Sequence, residues 1–339
     1  MVSRRDTIDA AWRGLVLWIG IAACLPAPSS AQTSLGGQRV GTASGTFLKI
    51  GVDARGAALG DAYVSLVEGP FSVFCNPAGL AHQRSADAAF GYARWPADVD
   101  VFAFSFARPW GESGSTLAVS AEYVGTQLDE TTESHPQGTG RSFGYSDLLL
   151  GFSAARPFSD RLAIGGTVKF FREDLGSGIG GPSIQSWLVD AGTVYQIGTA
   201  GARLSIALQH FGPDLEPDGS YFSDVQGEEV GFAAFSPPTS FRIGLSALPY
   251  ERGPHRLTTS TEVVHVSDNQ ETLRAGVEYA YAGRYFARTG YDSGADTMNF
   301  SAGLGLRIPW AGSEMVVDYA YTDGGPLLAI HRWSLVLPL

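Results

Sequence analysis

Apolar and polar residues alternate along this chain from about residue 86 to its last residues. In residues 102–107, every second residue is phenylalanine, and the residues between the phenylalanines are alanine or serine. Side chains of a β-strand point alternately to its two faces, so a period of two predicts strands with one apolar face. The pattern predicts fourteen strands, at residues 86–95, 99–109, 114–125, 146–157, 161–171, 185–197, 201–211, 239–249, 255–266, 271–281, 284–291, 297–308, 313–322 and 327–339.

Segment length and charge distinguish a membrane barrel from a soluble β-sandwich. Many segments reach about 10 to 12 residues, near the length that a tilted strand needs to cross a bilayer, whereas ordinary strands average roughly 5 or 6. Charges lie in the middle of the polar faces, and a barrel can enclose them in its lumen. We therefore predict an all-β transmembrane outer-membrane β-barrel of about 14 antiparallel strands. The predicted lumen charges are Glu122, Lys169, Asp190, Arg242, Glu262, Arg274, Glu278, Arg288, Arg307 and Asp318.

The connections between the predicted strands alternate in length. The long connections, at residues 126–144, 172–183 and 212–238, all follow odd-numbered strands and therefore lie on one side of the barrel. Long external loops and short periplasmic turns are typical of outer-membrane barrels. On the short-turn side, several strands end in proline followed by an aromatic residue, which predicts a girdle at the lipid–water boundary. The girdle residues are Trp110, Phe158, Tyr250 and Trp310.

Residues 1–31 have the features of a secretory signal peptide. Arginines precede an apolar run at residues 14–23, and small residues provide a cleavage site after Ala31. The run is shorter than the roughly 20 residues that a membrane-spanning helix needs. The residues before Cys24 resemble a lipobox, so lipidation of Cys24 is the alternative to cleavage after Ala31. Either alternative predicts export, and the barrel pattern then predicts the outer membrane of a Gram-negative-type bacterium.

Composition excludes several classes of partner. Charged residues make up 17% of the chain, below the roughly 25% that is usual in soluble proteins. The net charge is −11 and the only lysines are Lys49 and Lys169, so no basic patch is available for nucleic acid. The acidic external loops lack the ligand spacing of a calcium-binding EF-hand. We predict no metal, no cofactor and no nucleic-acid partner, and we expect Cys75 to be a small packing residue.

An outer-membrane hydrolase is the enzyme alternative. The chain has six histidines, and each lies singly on a predicted strand or loop. A catalytic triad needs a histidine positioned by a third group beside the nucleophile. The histidines are therefore expected to be girdle, lumen or surface residues, and we predict that the protein has no catalytic residues.

The segment before the barrel, residues 32–85, shows little alternation and contains a helical candidate at residues 57–67. It also contains the motif Asn76, Pro77, Ala78, Gly79 and Leu80, which suits a helix start or a tight turn. Residues 41–81 resemble the N-terminal signature of the PorV/PorQ family, part of the wider FadL-type group of fourteen-stranded barrels. This resemblance implies that residues 32–85 form a hatch with short helices inside a barrel of residues 86–339.

The resemblance implies two alternative functions. PorV-like proteins serve type IX secretion, which implies a barrel that binds or shuttles exported cargo proteins with C-terminal sorting domains, together with other secretion components. FadL-like relatives instead admit hydrophobic, fatty-acid-like small molecules. Export is the main expectation and uptake the alternative. Both place the barrel in contact with outer-membrane lipid.

The longest external loop contains an unusual apolar patch. Phe232 and Phe235 flank two alanines in a region that should lie outside the membrane. Exposed apolar patches tend to mark contacts with a partner or ligand. We therefore predict a surface contact at Phe232 and Phe235.

Overall fold

The computed structural model describes residues 41–111, 114–223, 227–294 and 298–339. In this part of the chain, fourteen antiparallel strands follow one another around a closed barrel, and the last strand pairs with the first. The predicted β-barrel is therefore confirmed, whereas the predicted signal peptide and Cys24 lie outside the described residues. No helix in the described ranges is long and apolar enough to cross a membrane.

All fourteen predicted strands are present, with ends shifted by a few residues. The barrel strands are β1 (Asp87–Trp95), β2 (Val99–Trp110), β3 (Ser115–Asp129), β4 (Ser142–Pro157), β5 (Leu162–Asp174), β6 (Ser183–Gln196), β7 (Arg203–Phe211), β10 (Ser240–Arg252), β11 (His255–Val266), β12 (Thr272–Tyr281), β13 (Tyr285–Asp292), β14 (Phe300–Trp310), β15 (Ser313–Thr322) and β16 (Ile330–Pro338). Two further strands, β8 (Ser220–Ser223) and β9 (Glu228–Gly231), form a separate hairpin in the long loop after β7. The sequence pattern missed this hairpin because each of its strands has only four residues.

The outer face of the barrel carries the apolar side of the alternation. Phe90 on β1 is paired with Phe104 on β2 and with Leu335 on β16, so aromatic and aliphatic side chains form rows across neighbouring strands. Large apolar side chains such as Phe102, Trp187 and Leu304 remain exposed, as expected for a surface that faces lipid. The four predicted girdle residues are also exposed.

Residues 41–86 form a plug, a segment that packs against the inward-facing residues of the strands. It contains one short α-helix, α1 (Ala54–Ala58), and three 3-10 helices at Thr46–Lys49, Pro70–Phe74 and Pro77–His82. The predicted helix at residues 57–67 is wrong, because α1 ends at Ala58 and the chain continues in turns. The Asp53 side chain accepts a hydrogen bond from the Arg55 backbone N–H at 3.0 Å and so caps the start of α1.

Candidate functional site in the plugged lumen

The motif at residues 76–80 lies at the centre of the plug. Asn76 is fully buried, and its Oδ1 accepts a hydrogen bond from the Ala78 backbone N–H at 3.1 Å, which caps the 3-10 helix that starts at Pro77. Its Nδ2 donates to the carbonyl oxygens of Val64 at 3.1 Å and Thr193 at 3.2 Å. One side chain therefore joins two parts of the plug to strand β6.

Inward-facing glycines of the wall lie where the plug backbone approaches most closely. A Cβ on Gly165 would lie 2.5 Å from the Pro77 carbonyl carbon, and one on Gly276 would lie 2.8 Å from the Leu59 oxygen. A Cβ on five further inward-facing glycines would also overlap the plug. They are Gly91, Gly192, Gly244, Gly290 and Gly303. The absence of side chains at these positions lets the wall follow the surface of the plug.

An ion-pair network connects α1 to three strands. Arg55 donates from Nε to Glu278 Oε2 at 2.9 Å and from Nη2 to Glu278 Oε1 at 3.1 Å. Arg288 on β13 donates to Glu278 Oε2 at 2.6 Å and to Asp318 Oδ1 at 2.5 Å. Glu278, Arg288 and Asp318 are buried, so each charge is neutralised inside the lumen.

A second network holds the turn that follows α1. Glu262 on β11 accepts hydrogen bonds at Oε2 from the backbone N–H groups of Tyr63 and Val64, both at 2.9 Å. Its Oε1 accepts from Arg242 Nε at 2.5 Å. Arg242 also donates to the Asp61 carbonyl oxygen at 3.1 Å. Glu262 and Arg242 of the wall therefore form hydrogen bonds with polar backbone groups of the plug.

A third charged pair lies beside an irregularity in the wall. The Lys169 Nζ is 2.5 Å from Asp190 Oδ2, and both residues are buried. Asp190 Oδ1 accepts from the His210 backbone N–H at 2.8 Å. The register of β6 and β7 shifts here, and His210 has a φ of 58°. This bulge leaves both Gln209 and His210 buried instead of alternating between the faces.

The remaining predicted lumen charges occupy different depths. Glu122 is buried within electrostatic range of Lys169. Arg274 forms an ion pair with Asp292, with 2.7 Å between Nε and Oδ2. Arg307 lies at the short-turn end of β14, where its side chain is exposed.

Two cavities lie at opposite ends of the lumen. The cavity on the long-loop side has a volume of about 340 Å³ and is lined by Trp95, Arg332 and the plug residue Asp61, among others. The cavity on the short-turn side has a volume of about 420 Å³ and is lined by Arg55 and Arg307, among others. Plug residues 51–63 contribute to both cavities, so this segment separates them.

Burial changes the acidity of several plug residues. Burial raises the pKa of Asp53, and the nearby Asp318 carboxylate raises it further. Partial desolvation acts to raise the pKa of Glu68, whose side chain is 47% exposed, but the adjacent Arg203 guanidinium outweighs this effect and lowers that pKa. The Cys75 thiol is buried and its pKa is raised to about 12. Cys75 is therefore a packing residue that cannot act as a nucleophile near neutral pH.

An aromatic cluster lies on the long-loop side outside the barrel. Phe232 packs on Tyr221 of β8, with 5.4 Å between the ring centroids, and Phe235 is 46% exposed. The backbones of Phe235 and Leu215 exchange hydrogen bonds of 2.7 and 3.0 Å. Leu215 is fully buried in the same apolar cluster as Phe171 of the lumen. Phe235 is therefore joined through Leu215 to the apolar cluster of the lumen, whereas Phe232 packs on the external hairpin.

No family model matches this chain, and its sequence matches no curated protein. Solved structures do match it. The CymD monoaromatic hydrocarbon channel superimposes with a TM-score of 0.52 at 16% identity, over 84% of this chain and 96% of CymD. A Pseudomonas aeruginosa FadL homologue gives 0.52 at 14% identity, over 84% and 97%. The Ralstonia pickettii toluene transporter TbuX gives 0.50 at 14% identity, over 79% and 92%.

The chain has the fold of the FadL-type outer-membrane barrels. The wider FadL-type resemblance noted from the sequence is therefore confirmed at the level of fold. Two of these neighbours are described as a toluene transporter and a monoaromatic hydrocarbon channel.

The chain at the start of strand β4 contains a short pattern that also occurs in hydrolases. Residues 140–144 read G-x-S-x-G, the pattern of hydrolase nucleophiles. That pattern requires a strand-to-helix turn, whereas Ser142 begins strand β4 and no hydrogen bond among the described residues joins it to a histidine. The described ranges also hold no group of three or more side chains arranged to bind a metal ion.

Sequence reasoning missed some candidate functional residues of the barrel. Arg332 is buried and donates to the Gly51 carbonyl oxygen at 3.0 Å. Its parity on β16, between the buried Ile330 and Ser334, is a signal that could have identified it. Arg55 carries no such signal, because the irregular plug has no period from which an orientation could be read.

Proposed function

We propose that this chain is an outer-membrane channel for hydrophobic small molecules. The fold supports this proposal, because the chain shares it with structures described as a toluene transporter and a monoaromatic hydrocarbon channel. The proposal includes the signal peptide at residues 1–31, a location in the outer membrane, and contact between the outward apolar rows and lipid. It takes the alternative from the sequence analysis in preference to protein export.

A continuous row of apolar residues from the external loop to the lumen is the observation that carries the proposal. It begins at the exposed Phe235 and passes through the buried Leu215. Leu215 belongs to the same cluster as Phe171, whose ring stacks on Phe47 of the plug with 5.6 Å between centroids. A hydrophobic molecule taken up at the aromatic cluster would remain in contact with apolar side chains as it entered. The plug then lies between the two cavities, so passage requires a local displacement of the plug or the wall.

Uptake of radiolabelled toluene by cells that produce the chain tests this function. We expect faster uptake than in cells without it, and several-fold slower uptake when Phe232 and Phe235 are both replaced by serine. The matched control is Leu328→Ser, which removes a highly exposed apolar side chain from another loop on the same side. Uptake no faster than in cells lacking the chain would refute the proposal.

Type IX export is the second candidate. It is favoured by the resemblance of residues 41–81 to the PorV/PorQ signature, and the exposed Phe222 on β8 could also contact a protein. Purification of the barrel in detergent, followed by mass spectrometry, separates the two candidates. Co-purification of secreted proteins that share a C-terminal sorting domain would support export, whereas a bound small molecule without such proteins would support uptake.

A further inference from the structure

Arg332 differs from the other cations that line the cavity on the long-loop side. The other three each have a carboxylate partner: Lys49 with Asp268 at 2.8 Å, Arg242 with Glu262 at 2.5 Å and Arg274 with Asp292 at 2.7 Å. Arg332 has no carboxylate oxygen within 4.0 Å among the described residues. Asp61 acts on it only at longer range.

The partners of Arg332 are all neutral. Its Nε donates to the Gly51 carbonyl oxygen at 3.0 Å, and its Nη1 donates to Thr322 Oγ1 at 2.8 Å. The guanidinium carbon lies 5.1 Å from the centre of the Trp95 ring. A guanidinium has five N–H donors in a planar fork, and Nη2 makes no hydrogen bond to a described residue. Donors therefore remain for a further acceptor.

A buried charge without a counter-ion is costly, because neutral hydrogen bonds replace only part of its hydration. Arg332 is 3% exposed and lines a cavity of about 340 Å³. An anion in this cavity would supply the missing counter-charge. A carboxylate fits best, because its two oxygens match the guanidinium fork.

The apolar residues that line the cavity indicate which chemical group would accompany the carboxylate in the ligand. Leu48, Ile50, Phe74 and Trp95 contribute apolar surface to the same cavity. Its volume lies near the lower end of the roughly 300–1,000 Å³ range of ligand pockets, which favours a compact molecule over a long alkyl chain. These four side chains suit a planar apolar ring, while more than half of the lining residues, such as Gln209 and Asn269, are polar or charged.

We infer that the cavity on the long-loop side binds small aromatic monocarboxylates, with the carboxylate on Arg332 and the ring against Trp95, Leu48 and Ile50. This inference rests on the proposed function and names a substrate class within it. Because of Arg332, the cavity would then bind such acids more tightly than neutral hydrocarbons of the same size. Its hydrogen bond to Gly51 would also couple occupancy of the cavity to the plug.

Calorimetry on the full chain in detergent tests the inference with a matched pair of ligands. Benzoate and toluene have the same ring and differ in the group that Arg332 would recognise. We expect benzoate to bind about 10-fold or more tightly than toluene, since a charge-assisted hydrogen bond contributes that much. Equal binding of the two ligands, or absence of benzoate binding, would overturn the inference. This comparison requires no variant to fold.

Substitutions then locate the site. Arg332→Gln should weaken benzoate binding about 10- to 100-fold, while Arg332→Lys, which keeps the charge, should restore part of it. Arg307→Gln is the control, since it removes an exposed cation at the short-turn end of the barrel that does not line this cavity. Benzoate binding that is unchanged in Arg332→Gln, or reduced equally in the control, would contradict the assignment.

Failure of this inference differs from failure of the proposed function. If the chain transports toluene but does not bind benzoate, the carboxylate site is refuted and the proposed hydrophobic channel stands. If the chain binds benzoate through Arg332 but transports neither ligand, the carboxylate site stands and the proposed channel is refuted.

Discussion

Arg55 of the plug and Glu278 of strand β12 form a two-point ion pair, with 2.9 Å between Nε and Oε2 and 3.1 Å between Nη2 and Oε1. The pair connects α1 directly to the barrel wall. Because Glu278 also pairs with Arg288, it neutralises charge on both the plug and the wall. The plug is thus held by electrostatic contacts as well as by packing.

Replacing Arg55 with methionine should loosen the plug. The substitution keeps an apolar stem but leaves Glu278 with one cation in place of two, and we expect a loss of about 1–3 kcal/mol in the free energy of unfolding. Urea unfolding in detergent measures it. The control, Arg94→Met, breaks an exposed ion pair with Asp98, which should contribute little to stability because solvent screens it. Equal losses in the two variants would contradict the assignment of Arg55 as an anchor.

Gly290→Ala should displace the plug from the wall. The added Cβ would overlap the backbone of Leu59 and Gly60, and overpacking of this kind costs about 1–3 kcal/mol. We expect a lower unfolding temperature and a larger single-channel conductance in planar bilayers. Gly144→Ala is the control, because no atom lies within 4 Å of its Cβ. Wild-type conductance and stability in Gly290→Ala would show that the plug does not fit against the wall as described.

Cys75 should report on plug opening. Burial raises the pKa of its thiol to about 12, so at pH 8 only about one molecule in ten thousand carries the reactive thiolate. We expect an aromatic disulfide reagent to label Cys75 slowly in the folded barrel and rapidly after denaturation. The experiment uses a Cys24→Ser chain, in which Cys75 is the single cysteine, so the reagent reports on Cys75 alone. Rapid labelling of the folded chain would mean that the plug is open to solvent.

The Glu68–Arg203 contact should stabilise the fold in a pH-dependent way. The pKa of Glu68 is lowered in the folded chain, so its contribution is present above the ordinary glutamate pKa and is lost as pH falls through the lowered value. Glu68→Gln should therefore be less stable than wild type at pH 7, and the difference should shrink by pH 3. Arg203→Gln should show the same trend. Differences that do not change with pH would argue against this ion pair.

The strands could be predicted because the alternation that identifies a strand is present within the sequence of each one. In β2, for instance, Phe102, Phe104 and Phe106 lie on one face, and that alternation follows from strand geometry alone. The hairpin β8–β9 could not be predicted, since four-residue strands are too short for a period to emerge. The helix at residues 57–67 was wrong because turns after Ala58 follow the wall, with Glu262 binding the N–H groups of Tyr63 and Val64.

The candidate site was predictable only on the barrel side. The alternation assigned Glu262 and Arg288 to the polar face of their strands, and both side chains are buried in the structure. Their partners were not predictable, because the ion pair of Arg55 with Glu278 joins segments far apart in sequence. Arg332 has the same inward parity as the predicted lumen charges, so a complete reading of β16 would have included it.

The sequence by itself determined the class of the protein. An apolar face repeated over long strands must meet lipid, and charges on the other face must then be enclosed. Only the tertiary structure decided which wall positions lack side chains to admit the plug, such as Gly290 against Leu59, and which charge has no partner. Local periodicity records the direction of a side chain, whereas contacts inside the lumen depend on how distant segments pack in three dimensions.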